Sequence, residues 1–144
     1  MQMKIFFPGN QKVYADYQGI TIQTDQSVQS GGEGSAPAPF DLFLASMGTC
    51  VGIYVLRFCQ ARKLDTEGLE IIQAWDYDRE TRLIKTINFD IKLPSGFPEK
   101  YHDAIIKTAN LCAVKKHLAN PPTFNTTVLN DHVVAVKPNK GSQR

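Results

Sequence analysis

The sequence predicts an α+β fold, with strands and helices in separate blocks. Three observations carry this. Short stretches rich in strand-forming residues fill the first 24 positions and recur over 67–93. One long segment, Leu42 to Leu56, has no charge on any side. No glycine-rich phosphate loop joins a strand to a helix, as a dinucleotide-binding βαβ unit requires. The expected order is β-β-β-α-β-β-α-α-β in a single domain, 1–144, a length that supports one core.

The first three strands are expected over 2–7, 11–16 and 19–24, where Val13, Tyr14, Tyr17, Ile20, Thr21 and Ile22 favour extended chain. Pro8-Gly9-Asn10 and Gln18-Gly19 stand where hairpin turns belong. A polar loop, Ser30-Gly-Gly-Glu-Gly-Ser35, follows. Pro39 then suits the first turn of a helix, where a missing N–H costs nothing, and Asp41 suits the positive helix end. A helix without charge on any face is expected to be buried all round. Charge returns at Arg57, Arg62 and Lys63, close to the negative end.

An antiparallel pair is expected over 67–78 and 83–93, joined by the charged turn Asp78-Arg-Glu-Thr-Arg82. In its second strand Ile87, Phe89, Ile91 and Leu93 alternate with Thr86, Asn88, Asp90 and Lys92, as in a sheet with one wet face. Pro94-Ser-Gly-Phe-Pro98 ends it. Helices are expected over about 98–110 and 112–119, and a last strand or pair over 123–136.

A net charge of +2 is too weak a bias for a nucleic-acid surface or a polybasic membrane anchor. No apolar run of signal-peptide length follows Met1, and Leu42–Leu56 is shorter than a membrane span. The expectation is a cytoplasmic protein with no membrane segment. Three cysteines exclude a fully paired disulfide framework, so free thiols are expected.

Cys50, flanked by Gly48, Thr49 and Gly52, is from the residues alone either an inert buried thiol or a reactive one beside open space. Cys59 lies nine residues on, about half a turn round the same helix, and is read as structural. Cys112 falls near the start of the short later helix with Lys115 and Lys116 close by, a setting that favours a thiolate there. His102, His117 and His132 form no metal-ligand spacing, so no metal site is expected.

Two segments together carry a family resemblance: Ser35-Ala-Pro-Ala-Pro-Phe-Asp-Leu-Phe-Leu-Ala-Ser-Met-Gly-Thr-Cys50 and Ala109-Asn-Leu-Cys-Ala-Val-Lys-Lys-His-Leu118, with the passage Arg62-Lys-Leu-Asp-Thr-Glu-Gly-Leu-Glu70 between them. They resemble the OsmC (osmotically inducible protein C) and organic-hydroperoxide-resistance superfamily, nearest its less characterised OsmC-like branch. The resemblance implies an intertwined homodimer, long central helices packed between antiparallel sheets, and a site formed where subunits meet. It implies an oxidative-stress activity, the reduction of hydroperoxides. Cys50 would be the peroxidatic thiolate and Cys112 the resolving thiol, with an external dithiol as reductant and no metal or organic cofactor. The alternative on the same fold is a non-catalytic redox-sensing or hydrophobic-ligand-binding dimer.

Three positions depart from the family pattern. The acidic residue ten positions before the first cysteine is Phe40, and Asp41 next to it is the candidate in its place. The proline after the second cysteine is Ala113. No arginine precedes Arg57, so the arginine by which active members hold the thiolate is missing from the first strands. Lys4, Lys12, Arg57 and the partner subunit are the candidate sources of positive charge.

Overall fold

The computed structural model describes residues 1–129. Strands β1 (Lys4–Gly9), β2 (Lys12–Tyr17) and β3 (Ile20–Thr24) form an antiparallel sheet in the order β1-β2-β3. The β2–β3 turn is Gln18-Gly19, with φ of 49° and 79°. Positive φ at both central residues is the turn whose twist matches flanking strands, and Gly19 meets its demand without strain.

Helix α1 (Pro39–Ala61) begins as expected, with proline in the first turn. Asp41 Oδ2 accepts the Ala38 N–H at 2.9 Å, closing a capping box. The helix stops at a left-handed Lys63 (φ 54°), where the Lys63 N–H donates to Gln60 and the Leu64 N–H to Cys59. This is a Schellman stop made without glycine. At 23 residues, α1 outruns the uncharged stretch and is long and apolar enough to cross a bilayer. A core helix has the same length and composition, and here one side of α1 is packed in a core.

That core is formed by Val51, Val55, Phe58 and Cys59 of α1 with Ile105, Ala109 and Cys112. Strands β4 (Glu70–Tyr77) and β5 (Ile84–Lys92) pair antiparallel, Glu70 opposite Lys92, and lay Ile71, Phe89 and Ile91 against it. The alternation expected along β5 is therefore present, the odd positions facing the helices. A 3-10 turn, Glu99–Tyr101, leads into α2 (His102–Ala109), and α3 (Ala113–Ala119) follows. Arg62 seals the end of α1 by lying 3.8 Å over the Phe58 ring, which meets Tyr101 edge-on at 5.8 Å.

Among the described residues, α1 is not buried on every side. Leu44, Met47, Val51, Val55 and Phe58 form a buried stripe, while Phe40, Phe43 and Ile53 remain 38–49% exposed. The cause is a shortage of elements: α2, α3 and β4 lie on one side, and the first sheet makes few contacts with the rest. For the last expected strand, residues 121–129 form no helix or strand, and 130–136 lie outside the described residues.

Gly48 and Gly52 let strand β4 lie close against α1. A Cβ on Gly48 would stand 2.5 Å from Gln73 Oε1 of β4. The Gln73 Nε2 donates to the Leu44 carbonyl at 3.1 Å, tying β4 to α1 nearly two turns before Cys50.

Candidate active site

Cys50 lies halfway along α1, partly exposed, with its side chain at the edge of the core. Cys112 is fully buried and caps α3. The chain reaches that position because α2 ends in a tight turn, the Leu111 N–H donating to Thr108 at 3.0 Å. Cys112 then turns extended, and its carbonyl accepts the Lys116 N–H at 3.2 Å to start α3. The first amides of a helix have no acceptor within it. Those of Ala113 and Val114 are turned on Cys50. All three cysteines are free.

The two facing thiols are made unequal by their surroundings. Burial pushes the Cys50 thiol up, but hydrogen bonding from Cys112, the Val114 and Ala113 amides and the Lys115 charge together outweigh it, so its pKa lies below the ordinary value. Burial pushes the Cys112 thiol up, and the facing Cys50 pushes it further. Cys50 is therefore the thiol that gives up its proton more readily, with Cys112 facing it as the donor. This reverses the expectation that α3 and its lysines favour a thiolate at Cys112: the helix start serves the thiol across from it. Cys59 is buried, and that burial raises its pKa, which keeps it a neutral core thiol.

Cys50 and Cys112 are brought together; Asp41 is not brought to them. It caps α1 at the opposite end of the segment, nine residues before Cys50, about 13 Å along the axis and half a turn round. Of the candidate cations, Lys12 is paired with Glu33 at 2.6 Å, and Lys4 and Arg57 are exposed. Lys115 was visible in the sequence only as a neighbour of Cys112. Its approach to Cys50 depends on how α3 packs on α1, which no spacing encodes. Among the described residues no three His, Cys, Asp or Glu side chains gather as a metal site would require.

Between β5 and α2 lies an open cleft of about 580 Å³, lined by neither Cys50 nor Cys112. Phe89, Ile91 and Ile105 form its apolar wall, and Asp90, His102 and Lys115 bring charge or titratable groups to it.

The chain is similar to solved structures of the same fold. One, from Psychrobacter arcticus 273-4, is described as an osmotic stress induced and detoxification response protein. It is 21% identical, with a TM-score of 0.68 over 81% of this chain and 86% of that one. Another, from Legionella pneumophila, is described as an organic hydroperoxide resistance protein OsmC and predicted redox protein. It is 17% identical, with a TM-score of 0.50 over 81% of this chain and 87% of that one. At such identities the likeness establishes the fold. No curated protein sequence matches. Residues 32–127, which include α1, both β4–β5 strands and both facing cysteines, match the family described as OsmC-like protein. The chain therefore belongs to the OsmC-like protein family.

Proposed function

We propose that the protein reduces hydroperoxides, organic ones in particular, by a two-cysteine cycle. The carrying observation is the facing, unequal pair: the Cys50 thiol is the more readily ionised, and the buried Cys112 thiol stands against it. The Cys50 thiolate attacks the terminal peroxide oxygen. The O–O bond breaks, and the departing alkoxide takes a proton to leave as an alcohol. Cys50 is now a sulfenic acid, oxidised by two electrons. The Cys112 sulfur displaces its hydroxyl as water, giving a Cys50–Cys112 disulfide. An external dithiol reduces this by exchange and is itself oxidised to a disulfide. No metal or organic cofactor takes part. A compartment that keeps thiols reduced, the cytoplasm, suits such a cycle.

A second copy of the chain belongs to this reading. The uncovered side of α1, with Phe40, Phe43 and Ile53, and the thinly attached first sheet leave apolar surface that pairing would cover. We assign Asp41 to the site indirectly, through its hold on the start of the helix that carries Cys50.

The test is steady-state loss of cumene hydroperoxide with a dithiol reductant. Wild type consumes it and Cys50→Ser does not. Equal rates in the two would remove Cys50 from the reaction and leave the sensing or ligand-binding alternative. Sedimentation of the full chain reports the pairing.

A further inference from the structure

The cleft between β5 and α2 holds a positive charge at one end. Lys115 is half-buried there, its ammonium donates to Asn110 Oδ1 at 3.1 Å, and the same nitrogen lies 4.4 Å over the centre of the Phe89 ring. Both neighbours are neutral, and among the described residues no carboxylate forms an ion pair with it. Asp90 also borders the cleft, but it belongs to the exposed face of β5, opposite Phe89 and Ile91. A partly desolvated charge held only by neutral groups is incompletely compensated, and an anion completes it. An ammonium can only donate, so it fixes the Asn110 side chain with its oxygen towards Lys115 and leaves Nδ2 as a second donor.

From that end the cleft runs apolar. Phe89, Ile91 and Leu93 take alternate positions along β5 and just past its end, a wall about 13 Å long. Facing it, α2 spans about 12 Å from His102 to Asn110 and presents Ile106, which is 54% exposed. The volume, about 580 Å³, is that of a small-molecule site. A neutral apolar ligand would leave the ammonium unmet, and a small anion would leave the apolar walls bare. We propose that this cleft binds a medium-chain aliphatic carboxylate. The head accepts from the Lys115 ammonium and the Asn110 amide, and the chain lies along Phe89, Ile91 and Leu93 towards His102. The site is separate from the thiols, since neither Cys50 nor Cys112 lines it. The rival role for Lys115 is purely structural: a lysine stem covering Phe89, its charge idle.

The experiment is calorimetric titration of the full chain with decanoate, below the concentration at which it forms micelles. The expected result is saturable binding. Lys115→Met weakens it about 10- to 100-fold, the size of a lost hydrogen bond to a charged group. Decanol, which lacks the charge, binds the wild type more weakly than decanoate by a similar factor. Octanoate binds about 10-fold more weakly than decanoate, the value of two buried methylenes. Lys116→Met removes the same charge from an exposed position outside the cleft and leaves the affinity in place. Equal affinity of wild type and Lys115→Met for decanoate overturns the proposal. So does the absence of saturable binding, the result expected if another part of this chain or a second copy fills the cleft. Should Lys115→Met not fold, Ile106→Asp decides at an exposed position: it sets a carboxylate against the chain and abolishes binding, and retained affinity overturns the proposal. Binding requires neither peroxide nor thiol, so this proposal and the peroxidase reading fail separately.

Discussion

Cys112 caps α3 with its sulfur against Cys50 of α1, and the pair is unequal, the Cys50 pKa lowered and the Cys112 pKa raised. The inequality has a direction. Removing the Cys112 thiol in Cys112→Ala takes away a hydrogen bond that favours the Cys50 thiolate, so the Cys50 midpoint moves up. Replacing Cys50 by serine removes the group that pushes Cys112 up, so the Cys112 midpoint moves down. Site-resolved alkylation across pH checks both. Shifts in the opposite senses would place the thiolate on Cys112.

Gly48 offers a test of how β4 is held on α1. A Cβ there meets the movable end of Gln73, whose amide bonds the Leu44 carbonyl. Gly48→Ala gains about 1 kcal/mol of helix propensity and loses a hydrogen bond worth about 1 kcal/mol. The net change should stay within about 0.5 kcal/mol of zero. Gly48→Leu cannot be met by moving one side chain and should cost about 1–3 kcal/mol. Urea unfolding of the two variants checks the contrast.

Ile105 is 1% exposed and joins α2 to Val51 and Val55 in the core. Ile105→Ala should cost about 2–5 kcal/mol in the same unfolding measurement, the range for deleting a buried branched side chain. A loss below about 1 kcal/mol would mean the α1–α2 contact is not the centre of the core.

Asp25 anchors the loop before α1. It is buried, and its carboxylate accepts the Gln26, Glu33 and Ser35 amides at 2.8, 3.2 and 3.0 Å and the Ser35 hydroxyl at 2.8 Å. Hydrogen bonds from Ser35 lead in lowering its pKa from 3.8 to about 2. A depressed carboxylate stabilises the fold in full above its unfolded value, and that contribution is lost as pH falls from about 4 towards 2. Asp25→Asn puts an N–H donor where three donors point, so it should lower the melting temperature at neutral pH and flatten the decline between pH 4 and 2. Identical acid profiles for variant and wild type would show that the loop draws no stability from this charge.

Much of the fold was legible in local pattern. Pro39 and Asp41 marked the start of α1, Gln18-Gly19 a hairpin turn, and the alternation from Ile87 to Leu93 the buried face of β5, because each depends on neighbours a few residues away. The end of α1 was less so, since Lys63 takes a left-handed conformation that sequence assigns to glycine. The facing of Cys50 and Cys112 was reached through the family resemblance, since the two stand 62 positions apart in the chain. The effect of the Lys115 charge on Cys50 was out of reach, because it depends on how α3 packs on α1. The uncovered Phe40, Phe43 and Ile53 show the same limit: an apolar residue in sequence does not say whether its own chain or another covers it.

The central claim is that Cys50 and Cys112 form one redox unit. Its most direct test is a thiol count after reduced protein meets one equivalent of cumene hydroperoxide with no reductant present. The account predicts that two of the three thiols disappear together, leaving a Cys50–Cys112 disulfide, that Cys112→Ser instead gains one oxygen at Cys50, and that Cys50→Ser keeps its thiols. Three intact thiols beside unconsumed peroxide in the wild type would contradict it.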